Sequence, residues 1–131
     1  MKNILFLVNS GEISSNTNGG ASVYYSHLKL LYLAGYNINL LAIQWSSRDV
    51  FNIDHYSEIG KYVTSIDSFK INNPTPKKGF KRLFNALFKP ERFEYYFINS
   101  YNINYLKEYI SQKNIDLVFS EWRWSAIWSC F

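Results

Sequence analysis

Within the first 43 residues, an apolar run, a helical stripe, a glycine and a second apolar run follow one another without a break. The first run, NILFLV (Asn3–Val8), does not alternate and is ended by Asn-Ser-Gly. A strand with one wet face alternates, whereas an unbroken apolar run fits a strand buried on both faces, as in parallel sheets. From Gly20 the pattern turns helical. Val23, His27, Leu30, Leu31 and Ala34 recur at helical spacing, Tyr24 and Leu28 widen the stripe, and Gly35 stands where the helix should stop. Tyr36–Ile43 then reads as a second strand. Strand, helix, glycine, strand in so short a space is a βαβ unit with an expected right-handed crossover. The chain is thereby expected to be α/β, three layers (α/β/α) around a mostly parallel sheet.

The rest of the chain extends this plan. Residues 46–60 read as loop with a helical turn, and Lys61–Phe69 as a third strand. A break with two prolines follows. Phe80, Leu83, Phe84, Leu87 and Phe88 then share one helical face opposite Lys81 and Arg82, until Pro90 ends the pattern. A longer helix is expected over Asn99–Lys113, with Tyr101, Tyr105, Leu106, Tyr109 and Ile110 on its apolar face. Asn114–Glu121 is expected to be a fourth strand of the buried parallel type. Trp124, Ile127, Trp128 and Phe131 would lie on one face of a further helix that has no polar finish. Four strands and an unfinished helix make the first half of a doubly wound sheet, so a truncated product or a piece of a larger protein is expected.

Composition removes several classes. With 47% apolar and 18% charged residues, the 131-residue chain is an ordinary globular domain. The single cysteine, Cys130, excludes an internal disulfide and a thiolate metal cluster, and His27 and His55 are too few and too far apart to suggest a metal site. The first apolar run is shorter than the roughly 7–15 residues of a secretory core, and no run approaches the roughly 20 that span a bilayer. A soluble, cytoplasmic protein is expected. The net charge of +4 permits anionic partners, but no nucleic-acid motif accompanies it. G-x-x-x-x-G-K-[ST] and G-x-G-x-x-G are both missing, which removes P-loop enzymes and ordinary dinucleotide sites.

In an open α/β sheet, ligands bind beyond the carboxyl ends of the strands. Those ends fall at Asn9–Asn18, after Ile43, and at Ser120–Trp124. A helix starting at Gly19-Gly20 would present unpaired N–H groups and a positive dipole end, with no Cβ to block an anion. The bland alternative is that the pair merely ends a loop and starts a helix. The hydroxyl-rich SSNTNGG is similar to the flavin-phosphate loop of flavodoxins, but that loop is a direct strand-to-helix turn and here about ten residues intervene.

Taken in order, MKNILFLVNS, NGGASVYYSHLKLLYLAGYNINLLAI, GFKRLFNALFKPERFEYY and YLKEYISQKNIDLVFSEWRWSA resemble the N-terminal domain of a GT-B fold glycosyltransferase, close to glycosyltransferase family 4. The resemblance covers nearly the whole chain. It implies that residues 1–131 are a single, incomplete Rossmann-like domain on the acceptor side, without the C-terminal domain that binds the nucleotide-sugar. It further implies that Gly19 and Gly20 lie opposite the donor diphosphate, that no metal is required, and that this piece alone is inactive. Many relatives carry a His near the end of the fourth strand. Here Phe119 and Glu121 stand in that neighbourhood. Glu121 could act as a base or orient an acceptor hydroxyl, and equally could cap a helix or pair with Arg123.

Trp122 and Arg123 are acceptor-binding candidates, since indole stacks on sugar faces and Arg forks onto a carboxylate or phosphate. Trp124 and His27 fit better as packed side chains. Seven of the 14 basic residues fall within Lys70–Arg92. This segment reads as a surface helix packed on the domain, or as a peripheral membrane contact through Lys77, Lys78, Lys81 and Arg82. The second reading would suit a lipid-linked acceptor at the inner face of a membrane. A flavodoxin-like flavin-binding domain and a non-enzymatic membrane-surface module remain as alternatives. Self-association through the apolar C-terminal end is also expected.

Overall fold

The computed structural model describes residues 1–9, 11–16, 19–45, 50–72 and 99–120. Four strands, β1 (Asn3–Asn9), β2 (Asn37–Gln44), β3 (Ser65–Lys70) and β4 (Leu117–Ser120), form one sheet in the order β3-β2-β1-β4. Every pairing is parallel, with Phe6 beside both Leu40 and Phe119. The helices are α1 (Gly19–Leu33), a 3₁₀ helix (Ile53–Ile59) and α2 (Ser100–Gln112). The α/β reading with a parallel sheet therefore holds, and the arrangement is Rossmann-like. The expected helix at residues 80–88 and the one after Glu121 lie outside the described residues.

Each face of the sheet has its own core. Leu5, Leu7, Leu41, Ile43 and Phe69 pack against Leu106 and Tyr109 of α2. Phe6, Val8, Ile38, Leu40 and Ala42 pack against Leu28 of α1 and against Tyr56 and Ile59 of the 3₁₀ helix. Consecutive residues of β1 thus serve opposite cores, which is why its sequence cannot alternate. Burying each such side chain contributes about 2 kcal/mol.

The contact face of α1 differs from the expected stripe. Ala21 and Leu28 are buried, with Tyr24, Tyr25 and Leu31 packed beside them, while Val23 and Leu30 are 45% and 63% exposed. The helix is apolar on several sides, so periodicity does not select a face. The side that meets the sheet core is the one carrying Leu28, with Tyr24, Tyr25 and Leu31 around it. In α2, Tyr101 is exposed and Asn102 is fully buried in its stead. The Asn102 amide accepts from Asn72 N–H (2.9 Å) and donates to Asn72 C=O (3.0 Å), replacing a strand neighbour where β3 ends. β3 begins later than expected, because Tyr62 N–H bonds back to Ile59 C=O and residues 60–62 form a turn. β4 is parallel but is not buried on both faces, since Leu117 and Val118 are exposed.

Both helices end the same way. After α1, Gly35 (φ +84°) donates to Tyr32 C=O and Tyr36 donates to Leu31 C=O. After α2, Asn114 (φ 49°) donates to Ser111 C=O and Ile115 donates to Ile110 C=O. These are Schellman turns with a left-handed residue just past each helix. Asn3 then joins the two exits. It accepts from Asn37 Nδ2 (3.1 Å), donates its side chain to Asn114 C=O (3.0 Å), and donates its backbone N–H to Asp116 Oδ2 (2.7 Å).

A polar cluster fastens α2 to β3. Tyr109 donates to Asp67 Oδ2 at 2.7 Å, and Lys113 Nζ lies 3.3 Å from the same oxygen. Burial pushes the Asp67 carboxyl up, but the Tyr109 hydrogen bond, Lys113 and Ser65 outweigh it and leave its pKa below the ordinary 3.8. Burial, and then the bond to Asp67, push the Tyr109 phenol above its ordinary 10.0.

Gly35→Ala should cost about 1 kcal/mol in urea unfolding, because only the left-handed backbone opposes it and a Cβ there meets no atom. Gly35→Asn should cost less, as Asn114 shows at the equivalent turn. A depressed carboxylate stabilises above its unfolded pKa, and this stabilisation is lost as pH falls through the folded value. Stability should therefore decline below about pH 4, and Asp67→Asn should flatten that decline. The raised Tyr109 phenol stabilises below its ordinary value and should lose its contribution at more alkaline pH.

Candidate functional site

The helices on opposite faces fix where a ligand could enter. The path from β1 runs through α1 on one face towards β2, while α2 on the other face feeds β4 on the far side of β1. The strand order therefore switches between β1 and β4, and the crevice at such a switch opens beyond the carboxyl ends of the strands. Asn9, the loop after it, the start of α1 and Ser120 belong to that edge.

β1 ends at Asn9 and α1 begins at Gly19, so a long loop separates them as expected. Its first part is packed down. Ile13 is buried in the α1-side core and donates its N–H to His55 C=O at 3.0 Å. Ser15 donates both its N–H (3.0 Å) and its hydroxyl (3.1 Å) to Glu58 Oε2. A carboxylate of the protein thus occupies donors that a bound phosphate would otherwise use. Glu58 was missed in sequence because the 3₁₀ helix, capped by Asn52, resembles a loop.

Gly19 and Gly20 are both exposed, and a Cβ built on Gly19 meets no atom within 4 Å. The first turn of α1 carries no acidic side chain. Ser22 and Ser26 turn their hydroxyls back onto the Gly19 and Ser22 carbonyls. The N–H groups and positive dipole end of the helix are thus not met by a carboxylate from its own first turn.

Trp45 donates its indole N–H to Asn9 Oδ1 and packs against the α2-side core, bridging the ends of β1 and β2. On the other side of β1, Phe119 stacks on Phe6 at 5.0 Å, and His27 meets Phe119 edge-on at 5.8 Å. His27 is therefore a packed side chain, as its place in the helix suggested. Glu121, Trp122 and Arg123 follow β4 directly but lie outside the described residues, as do Lys77, Lys78, Lys81, Arg82, Ile127, Trp128 and Phe131. Among the described residues, no group of three or more His, Cys, Asp or Glu is placed to hold a metal, and no helix is long and apolar enough to cross a membrane.

Under the same loop, the Tyr56 hydroxyl is buried and faces the Gly11 amide without forming a well-aligned hydrogen bond among the described residues. Burial raises its pKa, with the Gly11 amide acting in the opposite direction. An unpaired buried hydroxyl costs about 1–3 kcal/mol. Tyr56→Phe should leave thermal stability unchanged or raise it, whereas a marked fall in melting temperature would mean that the hydroxyl is served from within the fold. Comparisons of the chain with protein-family models, with curated proteins and with solved structures find no match.

Proposed function

We propose that residues 1–131 are the acceptor-side, N-terminal half of a GT-B glycosyltransferase, which moves a sugar from a nucleotide-sugar to a saccharide or lipid-linked acceptor. The observation that carries this reading is the exposed Gly19-Gly20 pair at the helix start, beside the strand where the sheet order switches. Among the described residues no atom lies within 4 Å of where a Cβ on Gly19 would stand, and its backbone is not in the left-handed region. Internal packing therefore gives no reason for glycine there, whereas close approach of a ligand to the backbone does.

In this mechanism the donor diphosphate is presented from a second domain. The bond between the anomeric carbon and the phosphate oxygen breaks. The acceptor hydroxyl oxygen bonds to that carbon, and its proton passes to a base. Charge accumulates on the leaving phosphate, where the helix-start N–H groups stabilise it as oxyanion-hole donors do. Glu121 is the candidate for the base or for orienting the acceptor hydroxyl, and Trp122 and Arg123 are candidates for holding the acceptor. No metal takes part. Lys77, Lys78, Lys81 and Arg82 would hold the enzyme at the inner, cytoplasmic face of a membrane when the acceptor is lipid-linked.

The test uses the full-length gene product. The reading frame should continue beyond Phe131 into a second Rossmann-like domain, and that protein should transfer label from a nucleotide-sugar. Gly19→Ala should leave its melting temperature unchanged or slightly raised and reduce transfer at least tenfold, about 1.4 kcal/mol of transition-state stabilisation. A gene with no second domain in any form, or a Gly19→Ala enzyme with full transfer activity, would overturn the proposal.

A further inference from the structure

At the amino edge of the sheet, opposite Gly19-Gly20, a cleft of about 370 Å³ opens between the end of α1 and the turn into β3. Asn37, which opens β2, and Thr64, just before β3, place it at that edge. We propose that this cleft is a second binding site, for a hydroxylated ring carrying one anionic group, such as an acidic or phosphorylated sugar. The choice of a sugar ring rests on the sugar-transfer reading. The aromatic wall and the charge stand without it.

The wall is made by Tyr32 and Tyr62, whose ring centroids lie 5.4 Å apart at 58°. Tyr32 is 47% exposed, and Tyr36 extends the lining. Tyrosine rings offer a flat apolar surface to the C–H side of a sugar together with a hydroxyl at the rim. The volume falls within the range of about 300–1,000 Å³ typical of small-ligand sites.

The charge has one sign. Among the described residues no Asp or Glu lines the cleft, and Lys61 holds its ammonium 5.1 Å from the Tyr62 ring centre with no carboxylate partner among them. The hydrogen bond with Tyr25 is the main cause that holds the Tyr62 phenol below its ordinary range; burial opposes it, and Lys61 and Lys29 act in the same direction as the bond. Polar groups remain for ring hydroxyls. Asn37 spends its Nδ2 on Asn3, which leaves its carbonyl oxygen without a protein donor among the described residues. The Thr64 hydroxyl is likewise uncommitted among them, its N–H alone being bound, to Ile38 C=O.

The experiment is an amide-resolved NMR titration of the chain with D-glucuronate, with glucose 1-phosphate and with neutral glucose. At least one of the two anions should give saturable shifts at Tyr36, Asn37 and Tyr62–Thr64, and glucose should not. Lys61→Glu and Tyr32→Ala, both at exposed positions, should each weaken the binding at least tenfold. Response to glucuronate alone identifies a carboxylate ligand, and response to glucose 1-phosphate alone a phosphorylated one. No saturable shift at these amides with either anion, or binding unchanged in both variants, overturns the site. Shifts confined to Gly19–Ala21 also overturn it while favouring the sugar-transfer reading. Saturable shifts at the cleft in a protein whose gene has no second domain would leave the cleft standing and that reading lost.

Discussion

β1 exchanges backbone hydrogen bonds with β2 on one side and β4 on the other, and its side chains from Ile4 to Val8 are shut away on both faces. Both pairings are parallel, so each neighbour must be reached through a crossover that packs back onto the sheet. One crossover helix covers Phe6 and Val8, the other Leu5 and Leu7. The strand order, the two separate cores and the position of the switch all descend from that double burial. A polar side chain in the middle of β1 would have no face on which to meet water.

A doubly buried strand has a further requirement: the chain must return to its start after each crossover. Asn3 meets it by holding the exits of both helices, Asn37 on one side and Asn114 and Asp116 on the other. The left-handed residue in each Schellman turn lets the helix reverse within a few residues. Gly35 does this without a Cβ penalty, and Asn114 is the side-chain-bearing residue that tolerates it best. The cluster of Asp67, Tyr109 and Lys113 adds a charged fastening between α2 and β3. Much of the polar stitching of the described fold thus lies towards the amino edge of the sheet.

The elements that were legible in sequence are those where one constraint dominates. β1 and β2 are apolar on every buried position, and Gly19 and Gly35 bracket α1 closely. The contact face of α1 was not legible, because leucines and tyrosines surround the helix and hydropathy does not favour Leu31 over Leu30. Asn102 was invisible for the opposite reason. Its burial depends on an amide that copies a strand's backbone, a property that no apolar period records. Of the candidate site, Gly19 and Gly20 were legible as a helix start. The tie between Ser15 and Glu58 was not, since it joins residues 43 apart through a short 3₁₀ helix.

That tie narrows what the carboxyl edge can do. The stretch after β1 is rich in hydroxyls and amides, and as sequence it offers many ways to hold a phosphate. In the fold, Glu58 takes the amide and hydroxyl of Ser15, and Ile13 is fixed in the core with its amide on His55. An anion reaching this edge would therefore meet a carboxylate at Ser15 and find its favourable partner further along, at the start of α1. The described glycines separate in the same way. Gly35 answers to its own backbone angle, and a Cβ on Gly60 would make only an ordinary contact with Ser57 C=O at 3.6 Å. Gly11 and Gly19 answer to neither backbone nor packing, since a Cβ on either would meet no atom within 4 Å, and of the two Gly19 is the one that opens a helix. Among the described residues, this edge therefore offers an anion the exposed first turn of α1, which carries no acidic side chain, more than a phosphate-wrapping loop.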